Sequence, residues 1–471
     1  MVRAPAAREG VPRPIFTVPD DHDRARPTVA DALASGRARS DDGLSASRAL
    51  ALAFAAGGGT RYLDAWIATV TAPLAAEPDH RPAVLAARIE NILRSWRTLA
   101  ETPSFPGLTP DVAALIEGGI GRHAGALAAR VPSAGASHAE ATHALLVAGL
   151  AFDGAEGLAE RAIAELDRGL AAGAWPDGGH RSGTLDEHRR AMRRYLAAVE
   201  NARRFALHLP AGFLDRVGAV CDFLLHTAAV DGETGRLTGS HDLLLAGEIL
   251  GRDDLRWAGT DGRDGRPPAE RNPSFRYVGV HVQRTGWGAG TTPFADERRL
   301  LLDESTLGAS ISTRIGEMLV APEAEGDGAF VTRTGRWRIN VLVAGTEQRR
   351  RQFALLPDGA WLLVDHGGPD ETLTCLSPGT EMAVAVNRGA WVLRGQAADI
   401  VVAGSARPVA ASAGDGVAIE APRVHGDAIV ALIVPHATPP AAPPELEVRQ
   451  ARPDLVECRV DGRAVRWRLA G

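Results

Sequence analysis

Two short runs gather the residues that could move protons. Ser137-His138-Ala-Glu140-Ala-Thr-His143 opens one helical stretch, and Trp175-Pro-Asp-Gly-Gly-His180 followed by Thr184-Leu-Asp-Glu187-His188 leads into another. Imidazole titrates near neutrality, so His138 and His188 are candidate general acids or bases, with the Glu187 carboxylate beside them. The same letters also fit a structural role. Ser137-x-x-Glu140 and Thr184-x-x-Glu187 both spell a capping box, which satisfies the first amides of a helix. A helix start also favours anions, so capping and binding are compatible. His143 lies five positions past His138 and so on another helical face.

Arg189, Arg190, Arg193 and Arg194 follow His188 directly. Such a run ordinarily forms a solvated face, but Arg190 and Arg194 share one stripe and could clamp a carboxylate. Ser137, His180 and Tyr195 join them as substrate-contact candidates, although Tyr195 also reads as a packing residue. Further on, Tyr277, His281 and Arg284 fall on one strand, with Arg284 on the opposite face from the other two. Tyr277 and His281 are the binding candidates there. No HExxH or close His/Asp cluster has zinc spacing, so no metal is expected. No nucleophile elbow or phosphate loop occurs, and no cofactor is expected.

The elements that must position these groups change character along the chain. Residues 1–45 are rich in Pro, Asp and Arg and read as an irregular arm. Residues 46–250 read as helical. Ile163, Leu166 and Leu170 form one stripe, as do Met192, Leu196 and Val199, and Phe213, Val217, Val220 and Leu224. Pro and Gly break the text at Pro132, Gly135, Pro176, Gly178, Pro210 and Gly232, as expected for successive helices joined by short loops. Residues 251–274, with Asp261-Gly-Arg-Asp-Gly-Arg-Pro-Pro, read as a linker. From 275 to 471 the period becomes two, as in Tyr277-Val-Gly-Val-His-Val, Trp337-Arg-Ile-Asn-Val-Leu-Val and Ala383-Val-Ala-Val, with turns at Pro357-Asp-Gly and Gly367-Gly-Pro-Asp. Many short strands of this kind predict an antiparallel β-sandwich. The expected fold class is α+β multidomain, an α-domain followed by a β-domain.

The chain of 471 residues carries a formal net charge of −6 and a pI near 6.2, which argues against nucleic-acid and membrane-surface partners. All 52 basic side chains are arginine. Schiff-base, PLP and phosphate-loop lysine chemistry is thereby excluded. Cys221, Cys375 and Cys458 are scattered and odd in number, which predicts a reducing compartment. No secretory leader is evident and no apolar run approaches about 18 residues, so a cytoplasmic location is expected.

Three passages together resemble the heparinase II/III-like and alginate-lyase-like polysaccharide lyases. Ser137-His138 before Ala144-Leu-Leu-Val-Ala-Gly-Leu-Ala-Phe is similar to that family's Asn-His opening of an apolar helix. Trp175 to His188 is similar to its Asp-Gly segment ending in Tyr-His. Tyr277 to Trp287 is similar to the strand ending Arg-x-Gly-Trp that begins its sandwich. The resemblance implies an N-terminal (α/α) helical toroid followed by a C-terminal antiparallel β-sandwich. It also implies β-elimination at a uronic acid, by charge stabilisation and proton transfer. The family's Asn position holds Ser137, its catalytic Tyr position holds Glu187, and its His-rich stretch is replaced by Leu307-Gly-Ala-Ser-Ile-Ser-Thr-Arg. The expectation is therefore a divergent lyase-like enzyme using His138, Glu187 and His188 on a uronic-acid glycan or a smaller sugar acid. The alternatives are a catalytically silent glycan-binding protein and an intracellular biosynthetic enzyme working on a small metabolite by elimination, cyclisation or isomerisation. An acidic carbohydrate or small molecule is the expected partner, with a homodimer as one option.

Overall fold

In a computed structural model, residues 11–17, 27–35, 44–57, 59–153, 155–181, 184–231, 234, 236–288, 296–304, 308–313, 316–320, 330–336, 339–345, 350–366, 372–378, 383–387, 390–395, 398–405, 407–413, 416–422, 428–436, 440–453 and 455–468 are described. The chain is α+β and divides into two compact units, 1–222 and 223–471. The Gly367-Gly-Pro-Asp turn lies outside the described residues.

The helices are α1 (Pro27–Ala34), α2 (Ser45–Ala55), α3 (Thr60–Ala75), α4 (Pro82–Glu101), α5 (Pro110–Ala128) and α6 (Gly135–Ala151). After them come α7 (Glu156–Gly173), α8 (Leu185–Phe205), α9 (Phe213–Thr227), α10 (Ser240–Leu250) and α11 (Asp253–Gly259). In the first unit, α2 packs on α4, α4 on α6 and α6 on α8, so alternate helices stand side by side. Helix α6 runs through the middle of that row and buries residues on all sides, from Ala136 to Ala151. Its text, Ala-Leu-Leu-Val-Ala-Gly-Leu-Ala, has no polar stripe to give to water, so only an interior position satisfies it. Helix α8 is the opposite case. Met192, Tyr195, Leu196 and Val199 are buried, while arginines line its other side.

Two stretches read as irregular carry structure. The N-terminal arm contains α1, and the segment taken as a linker contains α11. Within the second unit, the Trp257 indole donates to the Trp287 carbonyl at 2.6 Å and the Trp287 indole donates to the Glu270 carbonyl at 2.9 Å. Those bonds hold 251–274 against the strand end at Trp287, despite its Gly/Pro content.

The strands are β1 (Ser274–Phe275), β2 (Val280–Arg284), β3 (Arg299–Asp303), β4 (Gly308–Thr313), β5 (Gly316–Val320), β6 (Phe330–Arg336) and β7 (Ile339–Gly345). Next come β8 (Arg350–Leu355), β9 (Trp361–His366), β10 (Thr372–Pro378), β11 (Ala383–Asn387), β12 (Ala390–Arg394) and β13 (Ala398–Ala403). The last are β14 (Val409–Ala413), β15 (Gly416–Pro422), β16 (Ile429–Pro435), β17 (Leu446–Arg452), β18 (Leu455–Val460) and β19 (Arg463–Arg468). Among the described residues they make sheets of order β1-β2-β3-β4-β5-β10-β15-β14, β11-β12-β13-β16-β9-β8-β7-β6 and β17-β18-β19. Every pairing is antiparallel, for example Ile400 opposite Ile433 and Leu432 opposite Leu362.

One apolar core joins Leu300, Ile311 and Ile419 of the first sheet to Phe353, Trp361 and Ile433 of the second. A second core joins Leu362, Val401 and Leu432 to Val456 and Cys458 of the three-stranded sheet. The middle sheet is thus covered on both faces. Unbroken apolar runs such as Trp361-Leu-Leu-Val and Ile429-Val-Ala-Leu-Ile-Val suit strands covered on both faces. Among the described residues, no helix is long and apolar enough to cross a membrane.

Candidate active site

Helices α4, α6 and α8 bring together a line of charged side chains in the first unit. The His143 ring, on α6, lies with Nδ1 2.7 Å from Oε1 of Glu90 on α4. Arg194, on α8, holds the other Glu90 oxygen at 2.8 Å. One carboxylate therefore ties three helices together. One α-helical turn along α8, Arg190 lies 3.3 Å from Glu140 of α6 and 4.0 Å from Glu187. Burial raises the pKa of Glu90, but Arg194 and His143 outweigh it and leave that carboxyl below its usual value. Glu140 goes the other way: burial lifts it above the ordinary range, against the pull of Arg190 and Arg194. Burial also lowers His143, against the pull of Glu90, whose carboxylate accepts from Nδ1–H. The opposite ring nitrogen, Nε2, is buried with no hydrogen-bond partner among the described residues.

This line borders a cavity of about 190 Å³. Arg48, Arg94, Arg194, Glu90 and His143 line it together with Thr17, Ser45, Ala87 and Asn91. Arg94 donates to the Thr17 hydroxyl at 3.0 Å. Glu90, His143, Arg48 and Arg94 were not singled out as site residues by sequence reasoning. The available signal was weak: a charged pair, Glu90 and Arg94, set one turn apart in a helix whose Ile89, Ile92, Leu93 and Trp96 are buried.

The second cluster is local to the start of α8. Thr184 accepts from the Glu187 amide at 3.3 Å and Glu187 accepts from the Thr184 amide at 2.8 Å, forming the expected capping box. His188 is 2 % exposed, and its Nε2–H donates to the Val220 carbonyl at 3.0 Å. Burial, reinforced by His180, pushes its pKa down to about 3, so it is neutral at physiological pH. The His180 ring meets it edge to face at 5.1 Å between centroids, and burial lowers His180 as well. The loop before them turns at Gly178, with φ 89°. A Cβ there would lie 1.9 Å from the Ala219 carbonyl oxygen, so only glycine lets the loop rest on α9.

The other sequence candidates fall elsewhere. The Ser137-x-x-Glu140 box does not form. Helix α6 begins two residues earlier, at Gly135 with Ala134 as an unbonded cap, so Ser137 is an exposed first-turn residue and Glu140 turns to Arg190. His138 is buried, with Nδ1 2.6 Å from the Pro132 carbonyl and Nε2 3.1 Å from the Glu165 carbonyl. Each ring nitrogen therefore faces a backbone carbonyl, and the ring is built into the packing of α6. Tyr195 is buried edge to face against Phe213, and burial raises its phenol pKa. In the second unit Tyr277 is 59 % exposed, while buried His281 lies between Ser274 at 3.0 Å and Glu304 at 3.4 Å. Arg284 is fully buried there. It donates to the His226 and Ala228 carbonyls and pairs with Glu297 at 3.5 Å.

No protein-family profile and no curated protein matches the sequence. Solved structures do. A heparinase III gene product is similar at a TM-score of 0.72 with 13 % identity, over 97 % of this chain and 92 % of that one. The chain carries the heparinase III-type lyase fold. A heparan sulfate lyase HepC variant from Pedobacter heparinus is also similar at 0.72, with 12 % identity over 96 % of this chain and 91 % of that one. A chondroitin AC lyase variant from Streptomyces coelicolor A3 is similar at 0.50, with 12 % identity over 94 % and 85 %. On the heparinase-type fold, the Glu90–His143–Arg194 line and the His180–His188 pair both lie within the helical unit.

Proposed function

We propose that this protein is a divergent lyase-like enzyme that removes a proton next to a carboxylate and eliminates the group beyond it. The substrate is a uronic-acid glycan or a smaller sugar acid. The carrying observation is the pairing of Glu140 with Arg190 on a fold similar to that of polysaccharide lyases. Glu140 has a raised pKa and stands among guanidiniums, as a group must to take a proton near neutral pH without repelling an anionic substrate. Arg190 and Arg194 neutralise the substrate carboxylate and the charge that develops on it. Glu187 and His188, with His180 beside them, form the second flank, and Ser137 stands in place of a family asparagine. In this reading the alternate helices form an (α/α) toroid over about 46–250, and the sheets from about 275 form a sandwich.

The test is incubation with a panel of uronate polymers and oligosaccharides, following the ultraviolet absorbance of the unsaturated product. Product should form, and Glu140→Gln should lower kcat by about 100-fold or more. Silence across the whole panel removes the polymer-degrading version. A silent glycan-binding version is favoured by the use of Glu187 in a cap and of His138 in backbone contacts. Calorimetric glycan binding without product would support it.

A further inference from the structure

We propose that a second cavity of the helical unit, bordered by the end of α5, by α6 and by α7, binds an aliphatic carboxylate, its chain in the apolar interior and its carboxylate on Arg161. The cavity shares no residue with the Glu140–Arg190 pair, so the inference stands apart from the lyase reading.

Size, lining and charge carry it. The cavity measures about 450 Å³, within the roughly 300–1,000 Å³ of usual ligand sites. That is room for roughly ten to fifteen non-hydrogen atoms at about 30 Å³ each, the share of one water in the liquid. Val131 beyond α5, Leu145 of α6, and Leu158 and Ala162 of α7 line it, and the small side chains of Ala128 and Ala164 leave the space open. Among the described residues the lining has no aromatic ring, hydroxyl or amide side chain, the groups that would hold a sugar by stacking and hydrogen bonding. A hydrocarbon chain suits it and a glycan does not. The charge lies along one stripe of α7, where Arg161, Glu165 and Arg168 follow Leu158 at helical spacing. Glu165 pairs with Arg168, so those two cancel. Arg161 donates from Nε to the Gly157 carbonyl at 3.1 Å and makes no ion pair among the described residues. The terminal amines of this exposed side chain are left to meet an anion at the mouth.

The deciding experiment is calorimetric titration of the full chain at neutral pH with octanoate, butyrate and octylamine. Octanoate should bind about tenfold more tightly than butyrate or better, because its longer chain removes more apolar surface from water. It should bind about fivefold more tightly than octylamine, a cation with the same length of chain, even though the whole protein carries a formal net charge of −6. Arg161→Glu should reverse that order. Ala128→Trp, which fills the cavity from an exposed lining position, should weaken octanoate by about tenfold or more. Should a variant fail to fold, the unsubstituted protein still decides through its three affinities. Equal affinity for octanoate and butyrate, octylamine bound as tightly as octanoate, or octanoate binding untouched in folded Ala128→Trp overturns the proposal.

Discussion

At the residue scale, what distinguishes a functional group here from a structural one is where its second polar atom points. His138 and His143 lie on one helix and are equally buried. Each His138 nitrogen faces a backbone carbonyl, whereas His143 gives one nitrogen to Glu90 and buries the other without a hydrogen-bond partner among the described residues. Sequence spacing separated their faces correctly but could not say which ring would meet a carboxylate and which the backbone. Glu90 is the residue whose loss should be felt most. Glu90→Gln keeps its shape but leaves Arg194 beside an uncharged partner and is expected to cost about 3 kcal/mol, read as a lower urea midpoint at unchanged slope. Pairing it with Arg194→Met should return about 1 kcal/mol or more of that loss, since the two charges are in direct contact. Strict additivity in that cycle would mean the ion pair holds nothing.

At the element scale, the start of α8 was the most legible part of the site. Thr184-x-x-Glu187 was read as a capping box and forms one, because capping depends on neighbours within one turn. Ser137-x-x-Glu140 carries the same letters, but Gly135 with φ 83° begins α6 early and Arg190 of α8 draws Glu140 away. Thr184→Ala should lower stability by about 1 kcal/mol. Gly178→Ala should cost more, about 2–3 kcal/mol, because it adds a left-handed backbone penalty to a collision with Ala219. It should also shift the His180 and His188 ring signals in NMR spectra, since the loop carries His180 onto His188. A stable Gly178→Ala protein with unmoved ring signals would contradict this packing.

At the scale of the whole molecule, buried histidines set the response to acid. Burial holds His188 near 3 and His123 and His226 near 4, well below the ordinary value of 6.5. Below about pH 6.5 the unfolded chain binds protons that these rings refuse, so each weakens the fold as pH falls toward its folded pKa. Glu297 acts in the other sense. Burial, opposed by Arg284, raises it from 4.5 to about 7, so its contribution is lost as pH rises across that interval. Among these four, three groups oppose one, and their net effect should be a loss of roughly 2 kcal/mol per pH unit between pH 6 and pH 5. Urea unfolding at the two values measures it; a flat or rising profile would refute the assignment. The Glu297 part is separable, since Glu297→Gln removes the one opposing group and should make stability fall more steeply as pH drops from 7 to 5.

The sequence by itself determined the order of the molecule: helices first, then antiparallel strands, with the change from a period of 3.6 to a period of two and most helix breaks in the text. Those signals are local, set by which side chains share a face of one element. Only the tertiary structure decided the site. Glu90, His143 and Arg194 come from three helices and meet because α4, α6 and α8 stand side by side. The same packing sealed His138 against carbonyls and covered the middle sheet on both faces. Burial and pairing raise or lower each group's pKa, and both are properties of neighbours that no spacing within one element can record.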